Sequence, residues 1–139
     1  MREILFKAKV KDWEQKPKDE QWVYGYYVRG FDIYEEPIHM IFDPTTIFYS
    51  HGETDGWDEI DPETLCQYTG LTDKNGNKIW ENDIIIYKEI HAIGKVAFME
   101  DTFVLDDEYD GKQYINGMWD KFEVIGNIFD NPELAEGGV

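Results

Sequence analysis

The sequence predicts a mainly β protein of the β-rich α+β class. An N-terminal antiparallel sheet is expected over residues 1–72 and an SH3-like small barrel over 73–135, packed as one unit. One short helical turn and a disordered tail at 136–139 complete it. Three observations carry this reading. Apolar residues recur with a period of two in several short runs, the repeat of a half-buried strand. No window of 12 or more residues shows the 3.6-residue apolar period of a helix. Turn-forming Gly, Pro, Asn and Asp separate the runs at short intervals, as in small barrels.

The elements follow in order. Ile4, Phe6, Ala8 and Val10 alternate with Leu5, Lys7, Lys9 and Lys11, so 4–11 reads as a half-buried strand. Residues 17–20 form a turn. Residues 22–28, Trp-Val-Tyr-Gly-Tyr-Tyr-Val, are β-branched and aromatic and give a second strand, with Gly25 at a bulge or close backbone approach. Residues 38–42 and 46–49 give two more strands around the turn at Asp43-Pro44, and 51–63, with six acids and no Lys or Arg, reads as a solvated loop. Residues 73–78 are the clearest turn: Asn75-Gly76 favours positive φ at both central positions, as a type I′ hairpin demands. Strands are then predicted at 83–90, 93–100, 102–105, 113–115 and 122–128, with His91-Ala92 joining the first two. Asp130, Asn131, Pro132 and Glu133 combine capping residues, a proline and an early acid, which predicts one helical turn.

The 139 residues match one domain and are enough to bury about two-thirds of the unfolded surface, without a disulfide or metal. The single cysteine removes any disulfide framework or thiolate-built zinc site. No apolar run approaches the roughly 20 residues of a bilayer span, and Met1-Arg2-Glu3 opens a strand-like stretch rather than a signal peptide, so a soluble protein of the bacterial cytoplasm is expected. Thirteen Lys+Arg stand against 30 Asp+Glu, a net charge of −17, and residues 1–22 carry +1 while 23–139 carry −18. Such a field repels phosphate backbones and anionic membranes, and attracts basic proteins and divalent cations.

Candidate chemistry is sparse. Asp106, Glu108, Asp110 and Gly111 approach a calcium-loop pattern, but Gly117 stands where that loop places its bidentate Glu, and an acidic hairpin loop is the better reading. His39, His51 and His91 lack ligand spacing, and His39 is expected to face outward on its strand. Neither a metal nor another cofactor is assigned. Nucleotide-binding and nucleophile motifs are missing, and Cys66, between Leu65 and Gln67 with no local base, reads as a small buried hydrophobe. No catalytic residue is assigned and the chain is read as non-enzymatic.

Two acid groups free of Lys and Arg stand out. Glu53, Asp55, Asp58, Glu59, Asp61 and Glu63 form one; Glu100, Asp101, Asp106, Asp107, Glu108 and Asp110 form the other. On a rigid β scaffold they would imitate phosphate spacing and occupy the basic groove of a DNA-binding protein; the competing reading is a solvated acidic face that keeps the protein soluble. Trp22, Tyr24 and Tyr26 share one strand face with Tyr27 opposite, and most are expected in the core. Aromatic residues on both faces would point to a homo-oligomer.

The segment 61–85, with Gln67-Tyr68-Thr69-Gly70-Leu71, Asp73, Asn75-Gly76 and Glu81-Asn82-Asp83, closely resembles the central motif of the YopX family. The opening residues 1–8 and the closing residues 123–134, which contain Gly126, Asn127 and Pro132, are similar to that family's ends. The usual Glu-Gly-Asp is Glu81-Asn82-Asp83 here, and Asn tolerates positive φ, so the turn should survive. Cys66 stands where the family often has Gly or Met. The motif residues read as turn and sheet determinants, with a bend or bulge at Gly126 and Asn127. The resemblance implies small proteins of phages and prophages without an assigned activity, a setting that favours interaction or regulation.

The expected function is thus a non-enzymatic interaction protein whose acidic surface binds a basic host or phage protein. The first alternative is a nucleic-acid-associated barrel using a basic patch of Lys7, Lys9, Lys11, Lys16 and Lys18. The second is a carboxylate-based hydrolase, which needs two close acids in a cleft with pKa values pushed apart.

Overall fold

A computed structural model of the chain describes residues 4–43, 57–107 and 111–135. The chain divides into two compact units, Glu3–Gln67 and Tyr68–Val139. The predicted strand at 46–49 and the tail at 136–139 lie outside the described residues.

The first unit is an antiparallel sheet. Strands β1 (Phe6–Lys9), β2 (Trp22–Phe31), β3 (Pro37–Phe42) and β4 (Trp57–Glu59) lie in the order β4-β3-β2-β1, and the start of β5 (Cys66–Thr72) pairs with β1 through Cys66 and Gln67. An isolated bridge joins Val10 to Ile60. One face forms the core: Ala8, Ile41 and Ile60 are buried, with Phe6, Val23, Tyr27 and Leu65 around them. The β2–β3 hairpin closes on Asp32, whose Oδ1 accepts the amides of Tyr34 (2.8 Å) and Glu36 (3.0 Å). That is a side-chain turn of the kind Asp favours.

Four expectations for this unit are corrected. Residues 57–59, predicted as solvated loop, are strand β4, because Trp57 packs its ring 6.4 Å from Phe42 and Ile60 enters the core. His39, predicted to face outward, lies half-buried and parallel to the Tyr27 ring, with the Tyr27 hydroxyl 2.6 Å from its Nδ1. The aromatic stripe is not mostly core: Tyr24 and Tyr26 are 51% and 52% exposed, since Val23 and Tyr27 already fill the inner side.

The fourth correction concerns the basic patch. Lys7 and Lys9 are not solvated; they are 7% and 1% exposed. They lie beneath the tryptophans of the segment that leads from β1 into β2. Lys9 Nζ sits 3.7 Å from the Trp13 ring centre and 5.4 Å from that of Trp22, and donates to Gln21 Oε1 at 2.8 Å. Lys7 Nζ lies 4.4 Å from the Trp22 ring. Aromatic faces stabilise a desolvated ammonium by about 2 kcal/mol. Gln21 is held in turn, its Nε2 donating to the Trp13 and Lys16 carbonyls at 3.0 Å each. A Lys9→Met variant keeps the volume, removes the charge and strands the Gln21 oxygen; it should lower stability in urea by about 2 kcal/mol.

In the second unit the remainder of β5 pairs with β6 (Lys78–Trp80) through Tyr68 and Thr72. Five further strands follow: β7 (Asp83–Tyr87), β8 (Ala92–Met99), β9 (Thr102–Asp107), β10 (Gly111–Gln113) and β11 (Glu123–Asn127). They form one antiparallel sheet in the order β10-β9-β8-β7-β11, compatible with an SH3-like barrel, and a single helical turn, α1 (Pro132–Ala135), follows. The predicted mainly β class is therefore the observed one. Ile79, Ile85, Val96, Phe103, Leu105, Ile115, Trp119 and Phe122 make the core. Strand ends differ from the predicted ones where a turn intervenes. Residues 88–90 form a 3₁₀ turn ending on His91 (φ 55°), and β10 stops before Tyr114 and Ile115.

The 73–78 turn is present but is not type I′. Only Gly76 is left-handed (φ 82°), and Asn75 is not among the positive-φ residues. Gly76 N donates to Asp73 O at 3.0 Å and Asp73 N to Asn77 O at 2.8 Å. This is the three-residue hairpin in which a right-handed turn is followed by one left-handed residue, so Asn75 needs no unusual φ.

Candidate functional site

The motif residues converge on the backbone. Asp73, 4% exposed, accepts three amides: Asn75 and Asn77 on Oδ1 at 2.9 Å each, and Val124 on Oδ2 at 3.0 Å. It therefore ties the hairpin turn to β11. Desolvation pushes its carboxyl up, but the amides of Val124, Asn77 and Asn75 outweigh that, and its pKa falls below the usual 3.8. Thr69, also buried, donates to Ile79 O at 2.8 Å and accepts the Leu71 amide at 3.1 Å. Between them Gly70 (φ 85°) and half-exposed Leu71 lie in a register shift of β5. Gln67 stands opposite Phe6 on β1. Tyr68 packs 5.4 Å from Trp80, with Lys78 Nζ 5.0 Å from its ring.

Asn82 adopts φ 71°, so the turn through Glu81-Asn82-Asp83 survives without its usual glycine. The Asn82 amide reaches Val96 O at 2.8 Å, and buried Asp83 accepts the Trp80 amide at 2.8 Å. The predicted irregularity in the last strand is a register shift between Val124 and Gly126. Beyond it Asn127 Oδ1 accepts the amides of Phe129 (3.0 Å) and Asp130 (2.9 Å), and its Nδ2 donates to Asp130 Oδ2 at 3.1 Å, which sets up α1 starting at Pro132. These side chains act on the backbone of their own unit.

The acidic groups are less concentrated than their spacing in sequence. Asp58 is exposed on β4, Glu59 lies 3.2 Å from Lys11 Nζ, and Glu63 is exposed. Asp61 accepts the Trp13 indole N–H on Oδ2 and the Glu63 amide on Oδ1, both at 3.1 Å, so it caps a turn and anchors the tryptophan. Glu100 (φ 61°) and Asp101 occupy the β8–β9 turn. Asp106 and Asp107 sit at the other end of β9, about 16 Å away at strand rise, and Asp106 stands opposite Lys95 on one side and Lys112 on the other. The second group is thus two sites rather than one face. Glu53, Asp55, Glu108 and Asp110 lie outside the described residues, so Asp106 is the one described acid of the calcium-like loop. Cys66 is buried, as predicted, with its thiol 3.2 Å from Thr64 O.

The sequence reading put Trp22, Tyr24 and Tyr26 on one strand face and expected most of them in the core; the structure leaves Tyr24 and Tyr26 on an exposed apolar surface. On the outer side of the first unit's sheet, Tyr26 and Val28 stand opposite Phe42 and Met40 of β3, and Tyr24 opposite Lys7 of β1. Val28 is 42% exposed. A separate recess of about 230 Å³ is lined by Trp22, Val23, Tyr24, Ile41, Asp43 and Asp58, of which Val23, Ile41 and Asp58 belong to the core side of the sheet by register. The available signal was the even-numbered series Trp22, Tyr24, Tyr26, Val28 beside the odd-numbered Val23 and Tyr27: two apolar faces where one suffices for a core.

Comparison with solved structures finds protein EF1440 from Enterococcus faecalis at 20% identity, covering 97% of this chain and 99% of that one with a TM-score of 0.49. Comparison with curated proteins returns no match. The model of the YopX protein family matches residues 16–136, most of the chain. With the motif geometry above, this protein belongs to the YopX family.

Proposed function

We propose that this YopX protein is a non-enzymatic interaction module of a phage or prophage, acting in the bacterial cytoplasm by binding a basic protein. The observation that carries the reading is the fate of Lys7 and Lys9. Both ammonium groups are withdrawn under Trp13 and Trp22, and Lys11 is paired with Glu59, so the lysine-rich opening stretch of a −17 chain loses much of its positive surface. The remaining field attracts cations and repels phosphate. The same fact weighs against the nucleic-acid reading, which needed those lysines in solvent.

Calorimetric titration tests this. A decalysine peptide should bind at low salt and weaken steeply as salt rises, while a duplex DNA oligonucleotide should give no heat. DNA binding lost on Lys16→Gln and Lys18→Gln replacement would replace this reading with the nucleic-acid one.

A further inference from the structure

We infer that the partner docks on the outer face of the first unit's sheet, and that it is an amphipathic basic protein segment which lays apolar side chains on Tyr24, Tyr26 and Val28 and turns its Lys and Arg side chains to the acidic margin. This rests on the reading of a basic partner and adds the place and the apolar half of the recognition.

The face is unusual for this chain. In a sequence with 30 acids, the exposed central positions of β2 on this side are Tyr24, Tyr26 and Val28, flanked by Met40 and Phe42 of β3 and Trp57 of β4 in register. Aromatic groups with two rotatable bonds lose little entropy on contact and are enriched at the energetic centres of interfaces. The opposite end of the same face is already roofed: there Trp13 and Trp22 cover Lys9, the internal precedent for an ammonium held on these rings. Acids rim the open end, with Asp32, Glu35 and Glu36 in the hairpin turn. Charge complementarity thus selects a basic occupant over a second copy of this chain, whose own −17 would be brought against the same rim.

The test uses the full chain and three synthetic peptides: a helical Leu/Lys amphipathic peptide, decalysine, and a Leu/Glu peptide of the same pattern. Tryptophan fluorescence and calorimetry report binding, with sedimentation in parallel. The Leu/Lys peptide should bind about tenfold or more tighter than decalysine, and the Leu/Glu peptide should not bind. Tyr26→Ser with Val28→Thr should cost about tenfold in Leu/Lys affinity while leaving decalysine binding unchanged. Glu35→Gln with Glu36→Gln, both exposed in the hairpin turn, should weaken both basic peptides and flatten their salt dependence. Melting curves of the variants should match the parent, since the replaced side chains are exposed.

Equal affinity for the Leu/Lys peptide and decalysine, both indifferent to the Tyr26/Val28 change, overturns the docking face and leaves the basic-partner reading standing. Absence of binding by either basic peptide overturns both. A dimer in sedimentation that dissociates on the Tyr26/Val28 change also overturns the inference, because the occupant is then a second copy.

Discussion

Replacing Asp73 with alanine should lower the stability of the second unit by about 3 kcal/mol, read from the urea midpoint at neutral pH. Three amides lose their acceptor at once, and that of Val124, in a half-buried strand, has the least access to water. Asp73→Asn separates geometry from charge. One carboxamide oxygen can still take the two turn amides, but its NH₂ would face the Val124 N–H, donor against donor. The pH dependence has a definite sign. The folded pKa lies below the usual 3.8, so the contribution is complete above 3.8 and is lost as the pH falls through the lower folded value. The stability gap between the parent and Asp73→Asn should therefore narrow on acidification below pH 3.8. A gap constant from pH 6 to pH 2.5 would show that the carboxylate charge has no part in holding the turn.

Gly25→Ala should be the most damaging change in the first unit, at about 3–4 kcal/mol. A Cβ at this position would overlap the Phe42 carbonyl oxygen and sit 2.7 Å from its carbon, and the backbone φ of 154° is one that side-chain-bearing residues rarely adopt. The obstacle is backbone of β3, paired to β2 immediately beyond at Tyr26↔Phe42, so relief requires the two strands to part. Loss of β2–β3 amide protection, or no soluble protein, is the expected result. A Gly25→Ala protein with parental stability would mean that the strands pass each other with more room than their register allows. Gly76→Ala is the contrasting case: a Cβ there meets nothing within 4 Å, so only the left-handed φ opposes it. A cost of about 1 kcal/mol is expected.

How much of this was legible in sequence depends on whether the signal was local. The alternation in β1, the aromatic run of β2 and the turn residues around Gly76 are local, and each marked a real element. Asn82 was legible too, because Asn is a residue that accepts φ > 0 in place of glycine. Lys7 and Lys9 were misread because alternation separates two faces but does not say what covers the second; the cover comes from Trp13, Gln21 and Trp22, across a turn. Asp73 shows the same gap. Its turn was evident, yet its third partner, Val124, lies 51 residues on. The acidic groups were read as surfaces from their spacing, whereas β9 carries the two halves of one group to opposite ends, and cross-strand pairing sets Lys95 and Lys112 beside Asp106. Strand register, which decides these neighbours, is a tertiary property.

The central claim is a division of labour: the family-motif residues hold the backbone, and recognition belongs to the outer face of the first unit's sheet. Amide hydrogen exchange with and without saturating Leu/Lys peptide tests it most directly. The account predicts slowed exchange within residues 22–31 and 37–42, and no change at 73–83 and 123–127. Protection confined to the motif segments, with β2 and β3 unaffected, would contradict it.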